Sequence, residues 1–383
     1  MRRIAGFAWL LSLILLQYSC RNDSHSSPAV GILSSDIINK AERLKINTND
    51  SCTIVTLLDP WQGSDGVQIN YYLIKRGSRS ISVDDTSRII HVPVRKIICM
   101  STTHLAMITA LGEANSVAGV SGTAFVYSQN LLDMAEKGLI EDVGYENSLN
   151  SELILKIKPD LVMMYGVGGE SAGYTGKIEE LGIKTMLNAD FLENDPLGKA
   201  EWIKLFGALY CKEYEADSLY RSISGAYNSI KDSIRLGTRK RPKVLTGLPF
   251  RDTWYVSPGN SHLSSLIKDA GGEYLWEGTM SSAAMPMGLE SVYMRSLEAE
   301  YWINIGAVVL KDEIPAVDAR LSTIPAYKNG HLFNNNKRIT ENGGNDYWES
   351  GVLNPQLILK DLASILHPEL FKDHKLIYYR KLE

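Results

Sequence analysis

Cysteine is scarce in this chain, with four in 383 residues. Cys20 ends an N-terminal apolar stretch, which leaves Cys52, Cys99 and Cys211. An odd number argues against a disulfide framework. Cys99 sits in the apolar run KIICM and reads as a small buried hydrophobe. No Cys and His residues fall at metal-ligand spacing, so neither a metal site nor a cofactor is predicted. The net charge is −4, and no Lys/Arg cluster is dense enough for a nucleic-acid footprint. Phenylalanine is rare, seven residues against nineteen Tyr and seven Trp. That balance favours aromatics with a polar handle, which suit ligands with both apolar and polar parts. There is no H-E-x-x-H helix, and GVGG at 166–169 lacks the Lys-Ser/Thr pair of a phosphate-cradling loop.

The N-terminus carries the clearest local signal. Arg2 and Arg3 precede an apolar run, Ile4 to Leu16, that is too short to span a bilayer comfortably. A basic end, a short apolar run and a small residue before a break make a secretory signal peptide, expected over residues 1–19. Cys20 directly after Ser19 resembles a lipoprotein signal, in which the thiol receives a diacylglycerol. A conventional signal with an incidental Cys20 is the alternative. Residues 20–50 are Ser/Asn/Asp-rich and read as a flexible tether.

From Thr53 the chain turns strand-like. TIVTLL, the turn DPWQGSDG and VQINYYLIKRG read as a β-hairpin, and RIIHVPV as another strand. At Lys96 an α/β pattern begins. KIICM suits a strand buried on both faces, and STTHLAMITALG a helix capped by Ser101. SVAGVSG, a short helix capped by Ser151, DLVMMY, and GKIEELGIKTMLNADF continue the alternation of a parallel sheet covered by helices. PLGKAEWIKLFGALY (196–210) reads as a helix opened by proline. Then KEYEADSLYRSISGAYNSIKDSIR (212–235) repeats apolar residues every three or four positions, as a long amphipathic helix does. KRPKVLTGL restarts the same grammar, and Pro355 to Leu366 forms a second strong amphipathic helix. NSELILKIKPDLVMMYG in the first half matches GLESVYMRSLEAEYWINIG in the second, with Glu152 and Glu290 in corresponding places. The expected layout is an N-terminal α/β lobe over 51–195 with an extra hairpin, linker helices over 196–237, and a C-terminal α/β lobe over 238–383.

RKIICMSTTHLAMITALG, SVAGVSG, LNSELILKIKPDLV, KVLTGL through DAGGEYLW, and the terminal ILHPELF, in that order, resemble the helical-backbone class of substrate-binding proteins. These serve ABC importers for ferric siderophores, haem and cobalamin, and the ending is similar to a Bacteroidetes-type branch. The resemblance spans roughly residues 90–371. It implies two Rossmann-like lobes joined by one long rigid helix, with the ligand in the cleft between them. It implies a monomeric, periplasmic, membrane-anchored lipoprotein that captures an iron chelate, a ferric siderophore or haem, and hands it to an ABC permease with its ATPase. A corrinoid is the alternative cargo. Glu152 and Glu290 match the family's permease-docking glutamates, since separated carboxylates suit a two-point fit to arginines. Loops at the carboxyl ends of parallel strands line such clefts. They offer Ser101, Thr102, His104, Tyr127 and Tyr165 in the first half, and Phe250, Arg251, Trp254, Tyr255 and Met285 in the second. A late loop adds Arg338, Asn345, Tyr347 and Trp348. An enzyme using His104, Ser101 and Asp190 ranks lower, as does a surface adhesin.

Overall fold

The computed structural model describes residues 37–78, 83, 85–145, 148–166 and 170–383, with residues 170–174 as backbone only. The expected leader, Cys20 and the first part of the expected tether lie outside the described residues. No helix among the described residues is long and apolar enough to cross a membrane.

Four strands come first: β1 (Leu44–Thr48), β2 (Thr53–Leu58), β3 (Gln68–Lys75) and β4 (Ile89–Val92). β2 and β3 form the expected hairpin, β1 adds antiparallel to β2, and β4 pairs parallel with β3. β1 corrects the tether expectation. LKINT alternates, so Leu44 and Ile46 enter the core while Lys45 faces out. The chain just before it is fastened as well. The buried Glu201 carboxylate accepts the N–H groups of Asn39 (3.1 Å), Lys40 (2.6 Å) and Ala41 (3.0 Å). Glu193 accepts those of Glu42 (2.9 Å) and Arg43 (3.0 Å), and the Trp202 indole N–H at 3.1 Å. These carboxylates satisfy donors that no strand pairing reaches.

The first lobe runs β5 (Ile97–Cys99), α1 (Thr102–Ala110), β6 (Val117–Val120), α2 (Gln129–Glu136), β7 (Glu141–Asp142), α3 (Ser151–Ile157), β8 (Leu161–Met164), α4 (Glu170–Glu180) and β9 (Thr185–Leu187). Its sheet is wholly parallel, in the order β7-β6-β5-β8-β9. α3 is capped by Asn150, whose side chain accepts the Leu153 N–H at 3.0 Å, and not by Ser151, which is its first residue.

The expected helix over 196–210 divides at Trp202 into α5 (Pro196–Glu201) and α6 (Ile203–Tyr210). α7 (Glu213–Gly237) is the long helix, about 37 Å at ~1.5 Å per residue. Ala216, Tyr220, Ile223, Tyr227 and Ile234 form its buried stripe. Its N-terminal end is tied to the first lobe, where the side chain of the preceding residue, Lys212, donates from Nζ to the Leu111 carbonyl at 2.7 Å. Its second half is tied to the other lobe, where the Tyr227 hydroxyl and Lys231 both reach Asp269 at 2.8 Å. α6 and α7 touch at Gly207, where a Cβ would strike that of Ala216.

The second lobe runs β10 (Lys243–Thr246), β11 (Thr253–Val256), α8 (His262–Asp269), β12 (Glu273–Tyr274), β13 (Met285–Gly288), α9 (Leu289–Ser296), β14 (Tyr301–Ile303), α10 (Glu313–Val317), α11 (Pro325–Lys328), β15 (Leu332–Asn334), α12 (Pro355–Leu366) and β16 (Arg380–Lys381). The sheet order is β12-β10-β14-β15-β16, parallel except for the final strand. β11 and β13 pair antiparallel outside it. The molecule is thus two Rossmann-like lobes joined by one long helix.

Candidate functional site

Each parallel sheet has one point where the strand order reverses, between β5 and β8 in the first lobe and between β10 and β14 in the second. Loops diverge there and leave a crevice at the carboxyl ends of the strands. Ser101 and Thr102 follow β5, and Tyr165 follows β8. Ser101 is engaged in capping, its hydroxyl accepting the Thr103 N–H at 3.3 Å. Tyr165 lies edge-on to Phe191, with centroids 6.4 Å apart. Phe250 and Arg251 follow β10, and the Arg251 guanidinium lies 5.3 Å over the Phe250 ring. Both are exposed.

Two expected ligand contacts are corrected by burial. His104 is 0% exposed, packed 6.2 Å from Phe206, with no partner on either ring nitrogen. It lies one helical turn before Ile108, on the inner face of α1. Burial lowers its pKa to about 3, so it is neutral and cannot pair with an anion. Trp254 is also 0% exposed. Its indole N–H donates to the Thr246 carbonyl at 3.0 Å, and its ring stacks 5.8 Å from Trp302. Strand alternation explains it: Trp254 and Val256 point inward and Tyr255, 59% exposed, points out. Met285 is half-buried on β13, opposite Val256.

Several exposed aromatics are held by built loops. The Asp142 carboxylate accepts the N–H groups of Gly122 (3.2 Å), Thr123 (2.8 Å) and Gly144 (2.9 Å). That fixes the turns carrying Phe125 and Tyr145, exposed rings 6.1 Å apart and edge to face. Neither ring was expected from sequence, because nothing in TAFVY or GYEN marks one aromatic as outward. The late loop carries Trp348, 57% exposed and edge-on to the buried Tyr347 at 4.8 Å. Asn345 donates to the Asn335 carbonyl at 3.2 Å, holding its own loop.

The late loop also bridges the lobes. Arg338 lies 5.3 Å over the Tyr127 ring and 2.8 Å from Asp346. Buried Glu349 accepts the N–H groups of Tyr127 (2.7 Å) and Ser128 (3.0 Å). Glu349 was not singled out in the sequence, since its partners are backbone groups more than 200 residues away. Tyr127 and Arg338 therefore meet. They line a cavity of about 510 Å³ whose other walls come from α1, α7 and residues 346–356. Ser101, Tyr165, Phe250 and Tyr255 do not line it.

Glu152 and Glu290 each occupy the second position of their helices, α3 and α9, and both are exposed. They differ in company. Glu290 pairs with Arg320 at 2.6 Å, and Arg320 also pairs with Asp318 at 2.9 Å. Glu152 has no ion pair among the described residues.

Cys52, Cys99 and Cys211 are free thiols. Among the described residues no three His, Cys, Asp or Glu side chains are grouped as metal ligands. The pentapeptide GESAG, 169–173, has G-x-S-x-G spacing and overlaps the first turn of α4, although Gly169 and the Ser171 side chain lie outside what is described.

Three comparisons bear on this arrangement. A lipoprotein of Methanocaldococcus jannaschii described as uncharacterized is 30% identical over 307 residues, covering 78% of this chain and 71% of the relative. A second lipoprotein of that organism is 22% identical over 382 residues, covering 96% and 92%. Among solved structures, a periplasmic haem-binding protein of Pseudomonas aeruginosa aligns at TM-score 0.56 and 16% identity, covering 72% of this chain and 94% of that one. A possible iron-binding, periplasmic solute-binding protein of Staphylococcus epidermidis aligns at 0.54 and 18%, covering 72% and 99%. At such identities the structural likeness is one of fold. The periplasmic binding protein model matches residues 97–338, which takes in both switch-point crevices and the whole of α7, and the chain belongs to that family.

Proposed function

We propose that this protein is a non-enzymatic receptor that captures an iron chelate, a ferric siderophore or haem, between its lobes and delivers it to an ABC permease. The observation that carries this reading is the set of exposed aromatics on loops after the parallel strands, Phe250 beside Arg251 on one lobe and the Phe125–Tyr145 pair on the other. Flat π-faces and guanidinium groups complement a conjugated or anionic chelate. The haem and iron named for two fold neighbours support the same class. In this reading residues 1–19 are a cleaved leader and Cys20 carries lipid. The lipoprotein names of the two relatives support that anchoring. Glu152 and Glu290 dock on the permease.

A fluorescence-quenching and thermal-shift titration against ferric siderophores, haem and cobalamin tests it. Binding to the native state alone stabilises by about 2.7 kcal/mol at a ligand concentration one hundred times Kd. A response to one iron chelate, weakened about tenfold by Tyr255→Ala or Arg251→Ala, is the expected result. A response to cobalamin alone replaces the cargo, and silence across the panel removes the receptor reading. Turnover of an ester or amide substrate lost in Ser171→Ala would restore an enzymatic reading.

A further inference from the structure

The sheet that precedes the first lobe reaches the crevice of that lobe through the turn between β2 and β3. The turn is held from several sides. The Asp59 carboxylate accepts the Val67 N–H at 2.8 Å, and the Asp59 carbonyl accepts from the Arg43 guanidinium at 2.6 Å. The Ser64 N–H and hydroxyl both donate to the Trp61 carbonyl, at 3.1 and 2.5 Å. The body of the sheet is fastened along the β9 side of the lobe. The N–H of Leu187, the last residue of β9, donates to the Tyr71 hydroxyl at 3.4 Å. Arg88 joins that hydroxyl, at 3.2 Å, to Glu179 of α4, at 3.3 Å.

So placed, the turn meets the backbone that leaves β8, one of the two strands between which the order reverses. The Gln62 N–H donates to the Gly166 carbonyl at 3.3 Å. A Cβ at Gly166 would lie 2.6 Å from that of Trp61 and 3.2 Å from the Pro60 carbonyl oxygen. Any side chain there would force turn and strand end apart. Trp61, Gly166 and Leu187 also wall a cavity of about 200 Å³ with Thr175 and Gly176 of α4, at the carboxyl ends of β8 and β9. The turn lies outside the family match at 97–338, so this wall is an addition to the shared frame.

We infer that the Pro60–Gln62 turn is a positioning element of the cargo site, in which Trp61 holds the backbone after β8, and with it Tyr165, where that ring meets the chelate.

Tyr165 immediately precedes Gly166 and is half-buried. Its ring lies edge-on to Phe191 on one side, and the turn fixes its backbone on the other. A ring ordered before binding loses less freedom when cargo arrives. Releasing it should therefore weaken binding by roughly two- to tenfold. The role rests on the receptor reading, and a measurement without ligand separates the two. Fluorotyrosine in place of Tyr165 in the mature chain reports that ring by fluorine resonance in ligand-free protein. Titration with haem, a ferric hydroxamate and a ferric catecholate reports affinity.

Trp61→Ala and Gly166→Ala should each shift or split the resonance and weaken the chelate that the parent binds by roughly two- to tenfold. Trp61→Phe, which keeps a ring against Gly166, should restore both readouts. Tyr72→Ala controls for general loosening, because Tyr72 lies on the face of β3 opposite Ile69 and Tyr71. It should lower stability and leave the resonance and the affinity alone. A parent that binds a chelate while Trp61→Ala and Gly166→Ala bind it equally well overturns the inference and leaves the receptor reading standing. So does a loss of affinity that Tyr72→Ala reproduces, or one with no change at position 165. A parent that binds none of the panel ends the receptor reading, and this role with it, even where the resonance shifts.

Discussion

Beside the first lobe, Glu201 collects the N–H groups of residues 39–41. In the second lobe, Asp361 of α12 collects those of Ile377 (2.9 Å), Tyr378 (2.7 Å) and Tyr379 (3.1 Å), with His374 Nε2 at 2.6 Å. Both acids are 0% exposed. Both hold chain that lies outside the family match at 97–338. The difference is the counter-charge. Glu201 is paired with the buried Lys204 at 2.9 Å, whereas Asp361 has only a histidine. A single buried carboxylate can seat irregular backbone against a lobe, and its neighbours decide what neutralising it costs. The same contrast recurs on the surface, where Glu290 is paired and Glu152 is not.

The largest expected effect tests whether the lobes act as a pair. Glu152→Lys with Glu290→Lys should abolish uptake in cells while chelate affinity stays within about twofold, because in the docking reading each reversal replaces attraction by repulsion at the permease and not at the cargo. Intact uptake would end the docking assignment.

Next in size are the two buried acids. Glu201→Gln leaves the buried Lys204 with Asp217 alone, 3.4 Å away and partly exposed, and weakens the seat of residues 39–41, so about 3 kcal/mol is expected, the low end for breaking a buried pair. Asp361→Asn keeps an acceptor and strands no lysine, so about 1–3 kcal/mol is expected. Denaturant melts of the two variants check the order, and a reversed order would mean that Lys204 reaches water in the variant.

A smaller effect is expected at Arg320. Arg320→Ala frees Glu290, and since exposed pairs are worth about 0–1 kcal/mol, permease association should tighten by no more than about fivefold. Weaker association would show that Arg320 itself belongs to the docking surface.

The smallest effect separates the lobes on the acid side. Burial works against ionisation of Asp142, but the N–H groups of Thr123, Gly144 and Gly122 and the Thr123 hydroxyl hold its carboxyl below the ordinary 3.8. Its stabilisation is present above that value and is lost as pH falls further. Asp142 is exposed, so less than about 1 kcal/mol is expected after screening by solvent. Melts of the parent and Asp142→Asn should converge below about pH 3 and differ at neutral pH.

Local signals in the sequence reported the elements that bury one face. The three-four spacing of α7 gives its position within two residues, and Pro355 to Leu366 is α12 itself. β1 was hidden because LKINT is a five-residue alternation inside a polar segment. β16 was hidden because Arg380 and Lys381 gain their strand character only from pairing with Asn334 and Phe333. Among the site residues, Tyr255 and Trp254 show the limit. TWYV says that neighbours face opposite ways but not which way, and that depends on Trp302 lying beneath. Glu349 could not be read at all, because its partners are main-chain atoms that carry no side-chain signature, and for Glu201 the spacing shows only Lys204 and not the main-chain groups it seats.

The grip of Glu193 and Glu201 on residues 39–43 settles where a mechanical load arriving through the N-terminus is borne. It enters at the short helices preceding α7, at the junction of the two halves, and bypasses both crevices. A tether fixed at its far end could tug or sway the whole body without prying the two lobes apart.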